Sequence, residues 1–157
     1  MRRVLSGGLA LLGIVVLPSK MSPRQVHPVW TANYRDDPRL ERLKSFFRKA
    51  ACPALRYAGA FLEAADVYDL DWRLLPSISY IESTGGKVAQ NNNWFGWDSG
   101  RAHFASATAG IHEVGYRLAH SDLYRDKDVD AILATYNPSS EYAAKVKSVM
   151  RRIAPSE

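Results

Sequence analysis

The sequence predicts an α+β domain that is mostly α, with a small β-hairpin flanking a cleft. Three observations carry this. Apolar residues recur at helical spacing from residue 37 almost to the C-terminus. Residues 87–104 break that rhythm with asparagines, aromatics and a polar turn. A chain of 157 residues, 46% apolar and 24% charged, suits one compact domain around one core.

At the N-terminus, Arg2 and Arg3 precede an apolar run from Val4 to Leu17, and Pro18 ends it. A spanning helix needs about 20 apolar residues. The run is therefore short for an anchor and fits the apolar part of an export signal. Residues 1–18 are read as an export signal or N-terminal tether, with residues 4–17 serving as a membrane tether if they are retained. Leu17-Pro18-Ser19-Lys20 is a poor cleavage site, which leaves removal or retention open. The chain is expected to be exported to the periplasm, the cell envelope or the medium. Residues 19–36 contain Pro23 and Pro28, lack a period, and read as a linker. Residues 37–157 are the domain, expected as a monomer.

Asp37-Pro38 is a helix start, a capping carboxylate followed by a proline that needs no N–H there. Leu40, Leu43 and Phe47 form its apolar stripe. Pro53 opens a second helix with two apolar rows, Leu55/Ala58/Leu62/Ala65 and Tyr57/Phe61/Ala64/Tyr68. Two rows make a wide face, so this helix is expected to be central. A third helix is expected from about Leu70 to Ser83, with Leu70, Leu74, Ile78 and Ile81 on one stripe. Pro76 kinks or restarts it, and Gly85-Gly86 stops it. After the insertion, Ala107, Ile111, Val114 and Leu118 make one helical face, with Glu113 and Arg117 paired at i, i+4. Val129, Ile132, Leu133 and Tyr136 make the next. Ser139 or Ser140 caps a last helix that buries Tyr142, Val146, Val149 and Ile153.

Charge and cysteine content narrow the chemistry. Net charge is +5; without Arg2 and Arg3, Lys+Arg falls from 21 to 19 against 16 acids. A mildly basic domain favours an anionic surface without choosing one. No Lys/Arg cluster interleaved with aromatics stands out, so nucleic acid is not expected as a partner. One cysteine, Cys52, permits no internal disulfide and reads as a packed core thiol. His27, His103, His112 and His120 lack metal spacing. No metal and no cofactor is expected.

Glu82 is the carboxylate that stands out. It follows the stripe position Ile81, at the edge of a buried face, in the last turn of its helix. A helix C-terminus and partial burial both disfavour an added anion, and both raise a carboxyl pKa. A raised pKa suits an acid that must still hold its proton near neutral pH to protonate a glycosidic oxygen. The plain alternative is a solvated Glu near a helix end. About ten residues on, Asn92, Asn93, Trp94, Phe95 and Trp97 supply ring faces and amides of the kind that bind sugars. Their plain alternative is a hydrophobic mini-core, Phe95 above all. Asp98 is the one acid inside the insertion, a second carboxylate for Glu82 or simply a turn residue before Ser99-Gly100.

The stretch Ile78-Ser79-Tyr80-Ile81-Glu82-Ser83-Thr84-Gly85-Gly86, then Asn92-Asn93-Trp94-Phe95-Gly96-Trp97, resembles the bacterial N-acetylglucosaminidase-type peptidoglycan hydrolases. These are grouped with lytic transglycosylases in the lysozyme-like superfamily. Phe104-Ala105-Ser106-Ala107-Thr108-Ala109-Gly110-Ile111 is similar to the family segment that opens a helix after the hairpin. Tyr136-Asn137-Pro138 is similar to the segment lining the cleft opposite the acid. The resemblance covers about residues 54 to 153. It implies a lysozyme-like fold, Glu82 as general acid, Asn93 and Phe95 as cleft residues, and Tyr136 as the cleft tyrosine. Trp97 and Asp98 depart from the family pattern, where an aliphatic residue often follows Phe-Gly. The implied partner is the glycan strand of peptidoglycan, cut at its β-1,4 backbone by hydrolysis. A lytic transglycosylase forming 1,6-anhydro ends and a non-catalytic wall-binding module are the alternatives.

Overall fold

A computed structural model describes residues 33–155. The expected signal or tether and the linker up to residue 32 lie outside the described residues. The domain is mostly helical. Six α-helices are described: α1 (Pro38–Lys49), α2 (Ala58–Val67), α3 (Leu74–Ser83), α4 (Ala107–His120), α5 (Val129–Tyr136) and α6 (Ser140–Ile153). A 3-10 turn, Pro53–Tyr57, leads into α2. Among the described residues no helix is long and apolar enough to cross a membrane.

Local chemistry sets the starts. The Asp37 carboxylate accepts from Arg39 N–H at 2.8 Å and caps α1. Ser106 caps α4 through Ala109 N–H, and Asp128 caps α5 through Ala131 N–H. The helix that carries Glu82 begins four residues later than its periodicity suggests. Asp71 intervenes: its carboxylate accepts from Arg73 N–H at 2.9 Å and its carbonyl from Leu74 N–H at 2.8 Å. Pro76 consequently falls in the first turn of α3, where a missing N–H costs nothing.

α2 lies at the centre, against α1, α3 and α4, and α3 is wedged between α2 and α6. Leu74, Leu75 and Ile78 of α3 are fully buried, together with Phe47, Phe61 and Phe95. Truncating any one of those phenylalanines to alanine costs about 3–5 kcal/mol. The last residues of the expected linker dock here: the Tyr34 hydroxyl donates to Asp66 at 3.0 Å, and Arg39 holds both Asp37 and Asp66.

The expected β-hairpin is not seen among the described residues. Residues 87–104 run through successive turns, and their one bridge is the isolated antiparallel pair Gln90–Asn93. Asn91, Asn92, Asp98 and Ser99 all take φ between +52° and +55°. Four left-handed residues in so short a stretch turn the chain too often for a ladder to form.

Candidate active site

The site grows from the end of α3. Leu75, Ile78 and Ser79 are fully buried, and Glu82 continues their face one turn on, where it is half-buried. The helix then stops at Thr84, which takes the left-handed conformation at φ +53°. Just past it, Gly86 sits at φ +90° against the Trp94 ring, and a Cβ there would lie 2.5 Å from the indole. Ser83 ties the two segments together: its hydroxyl donates to Trp94 O at 2.8 Å and accepts from Gly86 N–H at 3.0 Å.

The insertion is braced by its own asparagines. Asn93 Oδ1 accepts from Trp97 N–H and its Nδ2 donates to Trp97 O, both at 2.9 Å. That bracket closes residues 93–97 into an arch whose crown, Gly96 at φ +61°, lies beside the acid. A Cβ at Gly96 would stand 2.7 Å from Glu82 Oε2, so a side chain there would displace the carboxyl.

Two tyrosines complete the surroundings. The Tyr136 hydroxyl donates to Phe95 O in a short hydrogen bond. Its ring stacks on Tyr142, with centroids 6.0 Å apart and planes 6° from parallel, and meets Trp97 edge-on at 5.8 Å. The Tyr142 hydroxyl is buried and reaches full hydrogen-bond geometry with nothing, but it is directed toward Glu82 as a loose donor. Burial pushes the Glu82 carboxyl above its ordinary value, and Tyr142 offsets part of that rise. Among the described residues no cation contributes. Burial and the negative charge of Glu82 push Tyr136 well up, and Tyr142 rises for the same reasons. Both phenols keep their protons throughout the working range of a carboxyl acid.

Of the residues singled out in the sequence, the structure brings Glu82, Tyr136 and Trp97 into one cluster. Trp94 and Phe95 do not line a cleft; they are core residues, with Trp94 edge-on to Tyr57 at 4.9 Å. Asn92 donates to Phe104 O at 2.9 Å, and the Asn93 amide is used up inside the arch, so Asn93 is a brace and not a cleft residue. Asp98 is exposed, turned to Arg101 at 2.7 Å, and contributes nothing to the titration of Glu82. It is the turn residue. Trp97 is half-buried, with the Arg117 guanidinium 5.6 Å from its ring centroid.

Gly96, Ser83 and Tyr142 escaped the sequence reading as site residues. Gly96 sits between two aromatics, and Tyr142 reads as one more apolar stripe position. Two concavities lie elsewhere: about 630 Å³ beside Trp72 and Arg73, and about 660 Å³ between α1 and the end of α6. Glu82 lines neither. Among the described residues no group of three or more His, Cys, Asp or Glu side chains could hold a metal ion. Comparison with protein-family models, with curated proteins and with solved structures returns no match.

Proposed function

We propose that this chain is an exported, lysozyme-like glycoside hydrolase that cleaves the β-1,4 glycan backbone of peptidoglycan in the manner of an N-acetylglucosaminidase. One observation carries the reading: a half-buried carboxyl, raised by burial and free of any neighbouring cation, held at a helix end beside Trp97 and Tyr136. Such a group keeps its proton to higher pH than a solvated Glu and can deliver it to a glycosidic oxygen. As the leaving group departs, the reacting sugar carbon gains oxocarbenium character. Trp97 offers an aromatic face for a sugar, and Tyr136 orients the reacting ring.

Among the described residues no second acid contributes to the surroundings of Glu82. This favours chemistry in which the substrate supplies the second group. With the N-acetyl oxygen the product is a hydrolysed N-acetylglucosaminyl end. With the 6-hydroxyl it is a 1,6-anhydro end, the transglycosylase outcome, which the same observation keeps as the second reading.

The test is digestion of purified peptidoglycan by the protein lacking residues 1–20, beside Glu82→Gln, with products read by mass spectrometry. Fragments from wild type and none from Glu82→Gln support the acid assignment. Reducing N-acetylglucosamine ends identify the glucosaminidase, and anhydro-muramic ends the transglycosylase. Binding without release by either protein would replace both with a wall-binding module.

A further inference from the structure

The cations of this chain are unevenly matched. Arg39, Lys44, Arg73, Arg101, Arg117, Arg125, Lys145 and Lys147 each meet a carboxylate. Of the nine cations that form no ion pair among the described residues, Arg35, Arg56, Lys87 and Lys127 lie on four separate segments, and the other five, Arg42, Arg48, Lys49, Arg151 and Arg152, are all exposed. All five belong to α1 or to the end of α6, two helices that pack together. Cations at a helix C-terminus complement its dipole, which accounts for four of them singly. It does not account for Arg42, in mid-helix, joining Lys49 and Arg152 in one place.

Those three line an open groove of about 660 Å³ floored by Phe46 and Tyr80. The Arg152 guanidinium lies 5.3 Å from the Phe46 ring and 5.7 Å from the Tyr80 ring, so the aromatic floor holds it at the groove. Glu41, the one acid among the described residues that line it, is occupied by Lys44 at 3.2 Å. Clustered like charges repel unless an anion of matching spread answers them.

We propose that this groove docks the phosphates of an anionic phospholipid bilayer. Charge complementarity selects an anionic surface, and the chain upstream selects the bilayer. The apolar run Val4–Leu17 precedes α1, and residues 18–37 between them span at most roughly 65 Å when extended. Wherever that run is retained in a membrane, the groove is within reach of that membrane's surface. The proposal stands whether or not Glu82 is catalytic.

The test measures partition of the full chain onto sedimentable phosphatidylcholine vesicles, with and without phosphatidylglycerol, for wild type and Arg42→Gln/Lys49→Gln/Arg152→Gln. The apolar run contributes equally to both proteins, so the gain from phosphatidylglycerol isolates the groove. At about fivefold per cation, wild type should gain roughly 100-fold more than the triple variant, and the difference should shrink as salt is raised. Arg56→Gln/Lys87→Gln, which removes charge away from the groove, should keep the gain. Circular dichroism checks that each variant is folded. An equal gain by wild type and triple variant would overturn the proposal. So would loss of the wild-type gain to millimolar inorganic phosphate at constant ionic strength, which would mark a free-anion site. Unchanged vesicle binding with reduced binding to a phosphate-bearing wall polymer would overturn it in favour of that polymer.

Discussion

Two carboxylates stand at the two ends of α3, buried to a similar depth, and they titrate in opposite directions. At both, burial pushes upward. At Asp71 the rise is overcome by hydrogen bonds from the Arg73 side chain and N–H, including a 2.6 Å ion pair, and the carboxyl ends below its usual value. At Glu82 no cation arrives from the described residues, Tyr142 offsets only part of the rise, and the carboxyl ends above it. Depth of burial alone thus decides nothing. The partner decides whether a buried carboxyl becomes a structural anion or a stored proton.

The largest test of that contrast is chemical. Glu82→Gln keeps the shape and removes the proton, so glycan release should fall by roughly 10²–10⁴ in kcat, with the melting temperature held. An active, folded Glu82→Gln would mean that the raised carboxyl is a packing accident. The next test strands the other anion. Arg73→Met leaves Asp71 half-buried without its cation and takes a donor from the carbonyls of Ala154 and Pro155, each 3.1 Å away. Unfolding in urea near pH 7 should show a loss of about 2 kcal/mol, since the pair is only partly exposed, with activity intact in the folded fraction.

Gly96→Ala tests how tightly the arch sets the acid. The new methyl would meet Oε2, and kcat should drop roughly tenfold. The positive φ adds about 1 kcal/mol of destabilisation. A smaller, directional effect concerns pH. The raised Glu82 stabilises the fold at low pH, and that contribution is lost as pH rises through its raised pKa. The lowered Asp71 contributes above the ordinary carboxylate range and is lost as pH falls through its own. Glu82→Gln should therefore gain stability relative to wild type on alkalisation, whereas the Arg73→Met deficit should shrink on acidification. Tyr142→Phe removes a donor that lowers Glu82, so the alkaline limb of the rate profile should move upward. A downward move would remove Tyr142 from the site.

The helices were legible because their signals are local. Asp37-Pro38 announces α1, and the stripe of Tyr142, Val146, Val149 and Ile153 announces the buried face of α6. Glu82 was legible as a border residue because helical period fixes faces. The start of α3 was not, since Leu70 continues the period while Asp71 captures the backbone first. The insertion was least legible. Asp98-Ser99-Gly100 suggests a hairpin turn, but whether asparagines reach sugars or their own backbone depends on contacts such as Asn93 to Trp97. The sorting of the aromatics was equally hidden: Trp94 is drawn inward by Ser83 and by the space left at Gly86, while Trp97 stays at the surface near Tyr136 and Arg117.

The turn that ends α3 also rests on the chain's single sulfur nucleophile. Cys52 is buried, its Sγ donates weakly to Phe47 O at 3.7 Å, and a Cβ on Gly85 would come within 2.8 Å of it. Ala54 N–H donates to Gly85 O at 3.0 Å, which seals the contact. Burial raises the thiol pKa and covers the sulfur, so the closed form should react slowly with alkylating reagents. With one cysteine in the chain, alkylation would count separations of this turn from the Cys52 segment. Such labelling turns the thiol into a clock for how often the acid-bearing end of the helix breathes, readable without substrate and before any activity is known.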